Sequence, residues 1–264
     1  MRPLGVTKPN HMFINEFETK VNQAKSLDFG IIFSESIELF KKVWLQGLVT
    51  LLLTVVIIIP FYLIIYIPLI ALSINPEMIH ANDSVNPLFI VGMVLFFMCF
   101  GTVASAVSIG MRSAFYRICK LKDSGALVSD DYFYYFKKPY FMKLIVLSVV
   151  IMLISILATL LFVLPLFYAI IPLSFINVVF AFNPDQSVSD IIKASFKMGT
   201  KKWLIAFGLM VVCGFLAEII GVMMCFIGVF VTVSFAYIPL YIIYKEVIGF
   251  ENSEDETVSI ETLA

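Results

Sequence analysis

Residues 144–184 read LIVLSVVIMLISILATLLFVLPLFYAIIPLSFINVVFAFNP, 41 consecutive positions without a charged side chain. A helix of that length is about 60 Å long at 1.5 Å per residue. The hydrocarbon core of a bilayer is about 30 Å thick, and about 20 apolar residues cross it. The stretch is therefore twice too long for one crossing. Lys137, Lys138 and Lys143 precede it, and Lys193, Lys197, Lys201 and Lys202 follow. Lys and Arg near a span resist translocation and mark the cytoplasmic face. Both flanks are basic, so the number of crossings is even. A tight turn near Val163-Leu164-Pro165 satisfies length and charge together and predicts spans at 141–163 and 166–183.

The same logic works outward in both directions. Residues 203–244 hold one charged side chain, Glu218, between Lys202 and Lys245. A break near Gly221 predicts spans at 202–221 and 224–245. Upstream, residues 43–76 carry no charge and predict a span at 44–72, with Pro60 and Pro68 as kinks or an exit. Residues 75–88 (NPEMIHANDSVNPL) are polar and lack Lys and Arg, which fits an outer loop. The next uncharged run, 84–111, ends at Arg112 and Arg117 and predicts a span at 87–117 that returns inward. Its Gly101, Ser105 and Ser108 lie three to four apart, a spacing that lets membrane helices approach closely. All 18 Lys and Arg residues then fall on one side.

Composition agrees. The chain of 264 residues is 61% hydrophobic and 14% charged, with a mean hydropathy of +0.99. Soluble domains are nearer half apolar and a quarter charged. The net charge of -1 gives no case for nucleic-acid binding. Anionic lipid headgroups are the expected counter-charge of the basic clusters. Cys99, Cys119, Cys213 and Cys225 show no paired spacing and read as small packing residues. Residues 1–27 form a polar N-terminal tail without the pattern of a cleavable signal peptide, and Met12 is a second candidate start. Residues 247–264 are acidic, polar and expected to be disordered. The membrane domain covers 28–246.

Three segments before the odd-numbered spans resemble one another. The first is Ile32-Phe33-Ser34-Glu35-Ser36-Ile37-Glu38-Leu39-Phe40-Lys41-Lys42-Val43-Trp44-Leu45. The last is Ile191-Ile192-Lys193-Ala194-Ser195-Phe196-Lys197-Met198-Gly199-Thr200-Lys201-Lys202-Trp203-Leu204, which pairs Ser36 with Ser195 and Trp44 with Trp203. Between them, Asp130-Asp131-Tyr132-Phe133-Tyr134-Tyr135-Phe136-Lys137-Lys138-Pro139-Tyr140-Phe141 repeats the double Lys and the aromatic. An apolar stripe at helical spacing followed by lysines describes an amphipathic helix lying at the cytoplasmic interface. The expected architecture is all-α: about six transmembrane helices as three hairpins. Each hairpin is preceded by an interfacial helix, at 28–42, 129–138 and 187–200.

This pattern resembles the membrane domain of some bacterial glycerophosphodiester phosphodiesterases and related six-helix bacterial inner-membrane proteins. The resemblance is densest over 130–246. It runs from Phe136-Lys137-Lys138-Pro139-Tyr140, through Pro165-Leu166-Phe167-Tyr168, Pro172-Leu173, Phe180 and Asn183. It continues with Ser187 and Ile191-Ile192-Lys193-Ala194-Ser195-Phe196, then Gly199 and the Lys-Trp pair, and ends at Tyr237-Ile238-Pro239-Leu240-Tyr241. It implies a multi-span bundle in a bacterial inner membrane and imports no active site. The family's phosphodiesterase chemistry belongs to a separate soluble barrel, which no segment here is long or polar enough to form.

Few side chains carry candidate chemistry. Glu218 is the one charged residue well inside an apolar run, about 22 Å along a helix from Trp203. A carboxylate at that depth is a candidate ion or proton site, and a residue at a polar outer mouth is the plainer reading. Arg112 and Arg117 are candidate ligands for a lipid phosphate, although five-residue spacing does not give them one helix face. Snorkelling to the headgroups is their plainer reading. Lys41, Lys42, Lys137, Lys138, Lys201 and Lys202 are candidate headgroup contacts. His11 and His80 fall on opposite sides and make no metal site. Phosphate-loop, His-Glu-x-x-His and Gly-x-Ser-x-Gly motifs are missing from the sequence, and neither a cofactor nor catalytic residues are expected. Pro60, Pro68, Pro165, Pro172 and Pro239 read as packing kinks, with substrate-lining helix breaks as the rival. Phe96, Phe97 and Phe100 read as lipid-facing.

Two functional readings follow. One is a non-enzymatic scaffold, assembly or envelope-homeostasis component, with a membrane-protein partner or a second copy of itself. The other is a transporter or lipid-handling protein that uses Glu218 and proline-broken helices. Both place the two termini in the cytoplasm.

Overall fold

The computed structural model describes residues 10–74, 87–126, 128–161, 164–224 and 227–250. Nine α-helices and two 3-10 turns order these residues, with no strand among them. The helices are α1 (Asn10–Gln23), α2 (Phe29–Ile74), α3 (Pro87–Asp123), α4 (Lys138–Leu160), α5 (Leu164–Phe182), α6 (Val188–Lys201), α7 (Trp203–Met223), α8 (Ile227–Thr232) and α9 (Ile238–Ile248). The 3-10 turns are Tyr134–Phe136 and Val233–Ala236. Among the described residues six segments are long and apolar enough to cross a membrane: Phe29–Ile64, Val91–Asp123, Lys138–Leu160, Pro165–Phe182, Trp203–Met223 and Gly228–Ile248. The turns expected near residue 164 and Gly221 fall close to the observed helix ends at Leu160 and Met223.

Packing divides the molecule. The buried core gathers Phe17, Ile32, Leu39, Val43, Tyr116, Phe175, Phe180, Ile191, Met198 and Tyr241. Away from it, α2, α3 and α4 expose Leu52, Val56, Leu63, Leu95, Phe97, Leu157 and Leu160. Apolar side chains in that position are stable against lipid tails and not against water. Phe97 is on this exposed surface, as a lipid-facing reading requires.

The interfacial helices depart from expectation, each for a local reason. Segment 28–42 does not lie apart from span 44–72. The two form one uninterrupted helix of 46 residues, about 69 Å long. No Gly or Pro stands between Leu39 and Gln46, and a bend there would strand backbone carbonyls that the straight ladder satisfies. Segment 129–138 forms no amphipathic helix. It carries only the Tyr134–Phe136 turn. Five consecutive aromatics lose rotamer freedom in a helix. Tyr135 is buried instead, with its hydroxyl donating to the Ala181 carbonyl at 2.6 Å, and burial raises its phenol well above the usual range. Pro139 sits in the first turn of α4 and sets where that helix starts.

Segment 187–200 does form a helix, α6, capped by Ser187, whose hydroxyl accepts from the Asp190 amide at 3.2 Å. It folds back along α5 rather than lying apart from the spans. A Cβ at Gly199 would stand 2.5 Å from the Pro172 Cα, so only glycine permits this approach. Trp203 consequently sits beside Phe167 and Tyr168, near the start of α5. Three equal hairpins would instead set Trp203 opposite that end. Within the polar tail, α1 docks on α6 through a Glu18–Lys197 ion pair and buries Phe17 and Val21.

Candidate functional site

The last candidate span is a broken helix. It runs from α8 through the 3-10 turn Val233–Ala236 to Tyr237, and restarts as α9 at Ile238. Pro239 lies in the first turn of α9 and has no N–H to carry the α-helical ladder across. The Tyr237 carbonyl at the break accepts from the Tyr116 hydroxyl at 3.2 Å.

The break faces a gap between α2 and α3. Gly47, Thr50 and Thr54 line one wall, spaced three and four apart on α2, and Ser108 and Arg112 line the other, one turn apart on α3. Ser234 and Tyr237 close it. The cavity is partly open and measures about 100 Å³. Gly47 makes the arrangement possible, since a Cβ there would lie 2.5 Å from the Ser234 Cβ.

Charge and hydrogen bonding in the cavity are lopsided. Arg112 Nη2 donates to the Tyr237 hydroxyl at 3.1 Å, and its guanidinium carbon lies 4.4 Å from the centre of the same ring. No carboxylate pairs with it among the described residues. A guanidinium has five N–H donors, so most of its capacity is unused. Ser234 is 4% exposed, and its buried hydroxyl has no hydrogen-bond partner. Thr50 and Thr54 donate to the Gln46 and Thr50 carbonyls, both at 2.7 Å. Their protons are committed, and they offer only lone pairs. One more tie fixes the α2 wall: Gln46 Nε2 donates to Asp130 Oδ2 at 3.2 Å, and Lys122 pairs with Asp130 at 3.3 Å.

The other candidates lie elsewhere. Arg117 covers the Tyr134 ring at 4.3 Å, away from Arg112. Lys41 pairs with Glu38 at 2.7 Å and Lys137 with Asp131 at 2.6 Å, and both lysines are exposed. Lys42, Lys138 and Lys201 are exposed as well. Lys202 is half-buried at the α6–α7 junction, where burial and then the charge of Lys201 push its ammonium below the usual lysine range. Glu218 is on an exposed stretch of α7 beside Phe215 and Ile219 and takes no part in the cavity. Thus one of the sequence-level candidates, Arg112, lines this cavity. Its partners Gly47, Ser234 and Tyr237 were not legible as a set. Only the Ser108–Arg112 and Thr50–Thr54 spacings hinted at polar faces.

Comparison with protein families, with curated proteins and with solved structures finds no match to this chain.

Proposed function

We propose that the chain is a non-enzymatic multi-pass protein of a bacterial inner membrane, with both termini cytoplasmic, that holds a lipid without transforming it. The single observation behind this reading is the Arg112 cavity at the broken last span. Arg112 lies within a helix long and apolar enough to cross a membrane, where an ionisable side chain is costly unless something uses it, and irregular backbone in a spanning segment is tolerated where it lines a cavity. This departs from the lipid-handling expectation in its site, which is Arg112 and not Glu218. The resemblance over residues 130–246 is in keeping with a bundle of this kind.

The scaffold reading has its own support in the amphipathic helices α1 and α6. They pack on each other and bury Phe17, Val21, Ile191 and Met198 beside α5 and α9. The matching burial of Ile32, Ser36 and Leu39 with Ile191, Ser195 and Met198 supports descent of the two segments from one repeat.

The test is purification in gentle detergent followed by lipid mass spectrometry. Lipid retained by the native chain and lost on filling the cavity, as in Thr54→Trp, supports the reading. A lipid profile identical to that of an unrelated membrane protein, or unchanged by Thr54→Trp, rejects it. Tags at residue 80 and at the C-terminus test topology and should report opposite faces.

A further inference from the structure

We infer that the Arg112 cavity is a phosphate site, taking the phosphate of a lipid headgroup or of a free phosphate ester. This rests on the reading of the cavity as a ligand site and names the chemistry it selects.

The argument is one of donors against acceptors. Arg112 contributes a permanent positive charge and keeps four of its five N–H groups after bonding Tyr237. Tyr237 accepts from Arg112, so its own O–H is free to donate inward. Ser234 adds a buried hydroxyl without a partner, and Ser108 stands one turn from Arg112 on the same face. No carboxylate lines the cavity; its side-chain acceptors include the lone pairs of Thr50 and Thr54, and the Arg112 charge opposes a cation. A neutral ligand would leave the guanidinium charge of the half-buried Arg112 uncompensated. An anion with several acceptor oxygens matches the donors and neutralises the charge, and phosphate against Arg is the pairing that uses the planar fork.

Size narrows the class further. Sites for drug-sized ligands occupy roughly 300–1,000 Å³. At about 100 Å³ this cavity holds a phosphate-sized group and not a whole lipid. Any acyl chains would lie outside, against the exposed apolar faces of α2 and α3 such as Val56 and Leu95. Arg117 lies over the Tyr134 ring and does not line this cavity.

The test uses the full chain in two arms. In the first, the protein is placed in vesicles of phosphatidylcholine, with and without phosphatidic acid, and lipid retention is read by mass spectrometry after extraction into detergent. In the second, inorganic phosphate is titrated into detergent-solubilised protein by calorimetry. Phosphatidic acid retained preferentially, or phosphate bound, with a loss of about ten-fold or more in Arg112→Gln, supports the site. Arg112→Lys keeps the charge and loses the fork, and should fall between the two. Ser234→Ala should weaken binding several-fold, and Arg117→Gln should leave it unchanged. Binding to Arg112→Gln equal to that of the native chain overturns the site. Retention of lipid with no preference for the phosphate monoester, together with no binding of inorganic phosphate, overturns it too, while leaving the lipid-holding reading intact. Inorganic phosphate bound with no lipid retained upholds the site and rejects that reading. Should Arg112→Gln fail to fold, the native chain answers through modification by phenylglyoxal. Protection of Arg112 by phosphate supports the site, and equal modification with and without phosphate overturns it.

Discussion

Trp203 bonds the carbonyl that Pro172 leaves without a helical partner. A proline at 172 cannot donate to the oxygen four residues earlier, at Tyr168. The Trp203 indole N–H donates to that oxygen at 3.0 Å, and the Tyr168 hydroxyl meets Thr200 beside it. The break in the α5 ladder is thereby used to fix where α7 begins. Trp203→Phe keeps the ring packed on Phe207 and Phe167 and removes only the donor. It should cost about 0.5–1.5 kcal/mol, the net range for one hydrogen bond. Unfolding of the detergent-solubilised protein measures this. Pro172→Ala supplies the missing N–H, so the same change in that background should cost clearly less. Equal costs in both backgrounds would show that the indole bond is not coupled to the proline.

Gly199 of α6 makes a second contact with the Pro172 turn of α5. Any side chain there collides with Pro172 backbone, and backbone yields less readily than a flexible side chain. Gly199→Ala should destabilise by about 1–3 kcal/mol, as overpacking does, and should free α6 from α5. Gly92→Ala is the control, because nothing lies within 4 Å of a Cβ at that position. Hydrogen exchange over residues 188–201 reads the separation. Protection unchanged in Gly199→Ala would mean that α6 is held by other contacts.

The sequence revealed the spans and hid their arrangement, for a physical reason. Crossing a bilayer depends on length and charge alone, and both are explicit in runs such as 144–184. How helices meet depends on single atoms: the missing Cβ of Gly199, the missing N–H of Pro172. The residue list carries those without saying what stands opposite. The double lysines misled in one respect. Lys41 and Lys42 suggested a helix boundary, yet a charged residue does not end a helix as Gly or Pro would, and α2 runs straight through them. Among candidate site residues, Glu218 stood out because it interrupts an apolar run, whereas Arg112 looked like an ordinary inner-mouth arginine. Only the broken span opposite, with Ser234 and Tyr237, turns it into part of a cavity.

Glu218 therefore has a definite expected behaviour. It is exposed on α7 and apart from the cavity. Glu218→Gln should leave lipid retention and thermal stability within the scatter of exposed substitutions, about 0.5 kcal/mol. Loss of retained lipid in this variant would move the site from Arg112 to the α7 surface.

Gly47 offers the sharpest test of how the cavity is built. Its α-carbon faces Ser234 so closely that an added methyl overlaps both the Cβ and the hydroxyl of that residue. Gly47→Ala should push the 3-10 turn away from α2, move Tyr237 off Arg112 and reduce ligand retention, even though alanine is the better helix former. Removing the obstacle should restore the geometry, so Gly47→Ala with Ser234→Gly should regain stability lost by the single change. Ligand affinity should return only in part, because the Ser234 hydroxyl is gone. Unfolding midpoints and lipid retention, measured on both variants, separate the two effects. A single variant as stable and as well loaded as the native chain would show that the turn does not rest on α2.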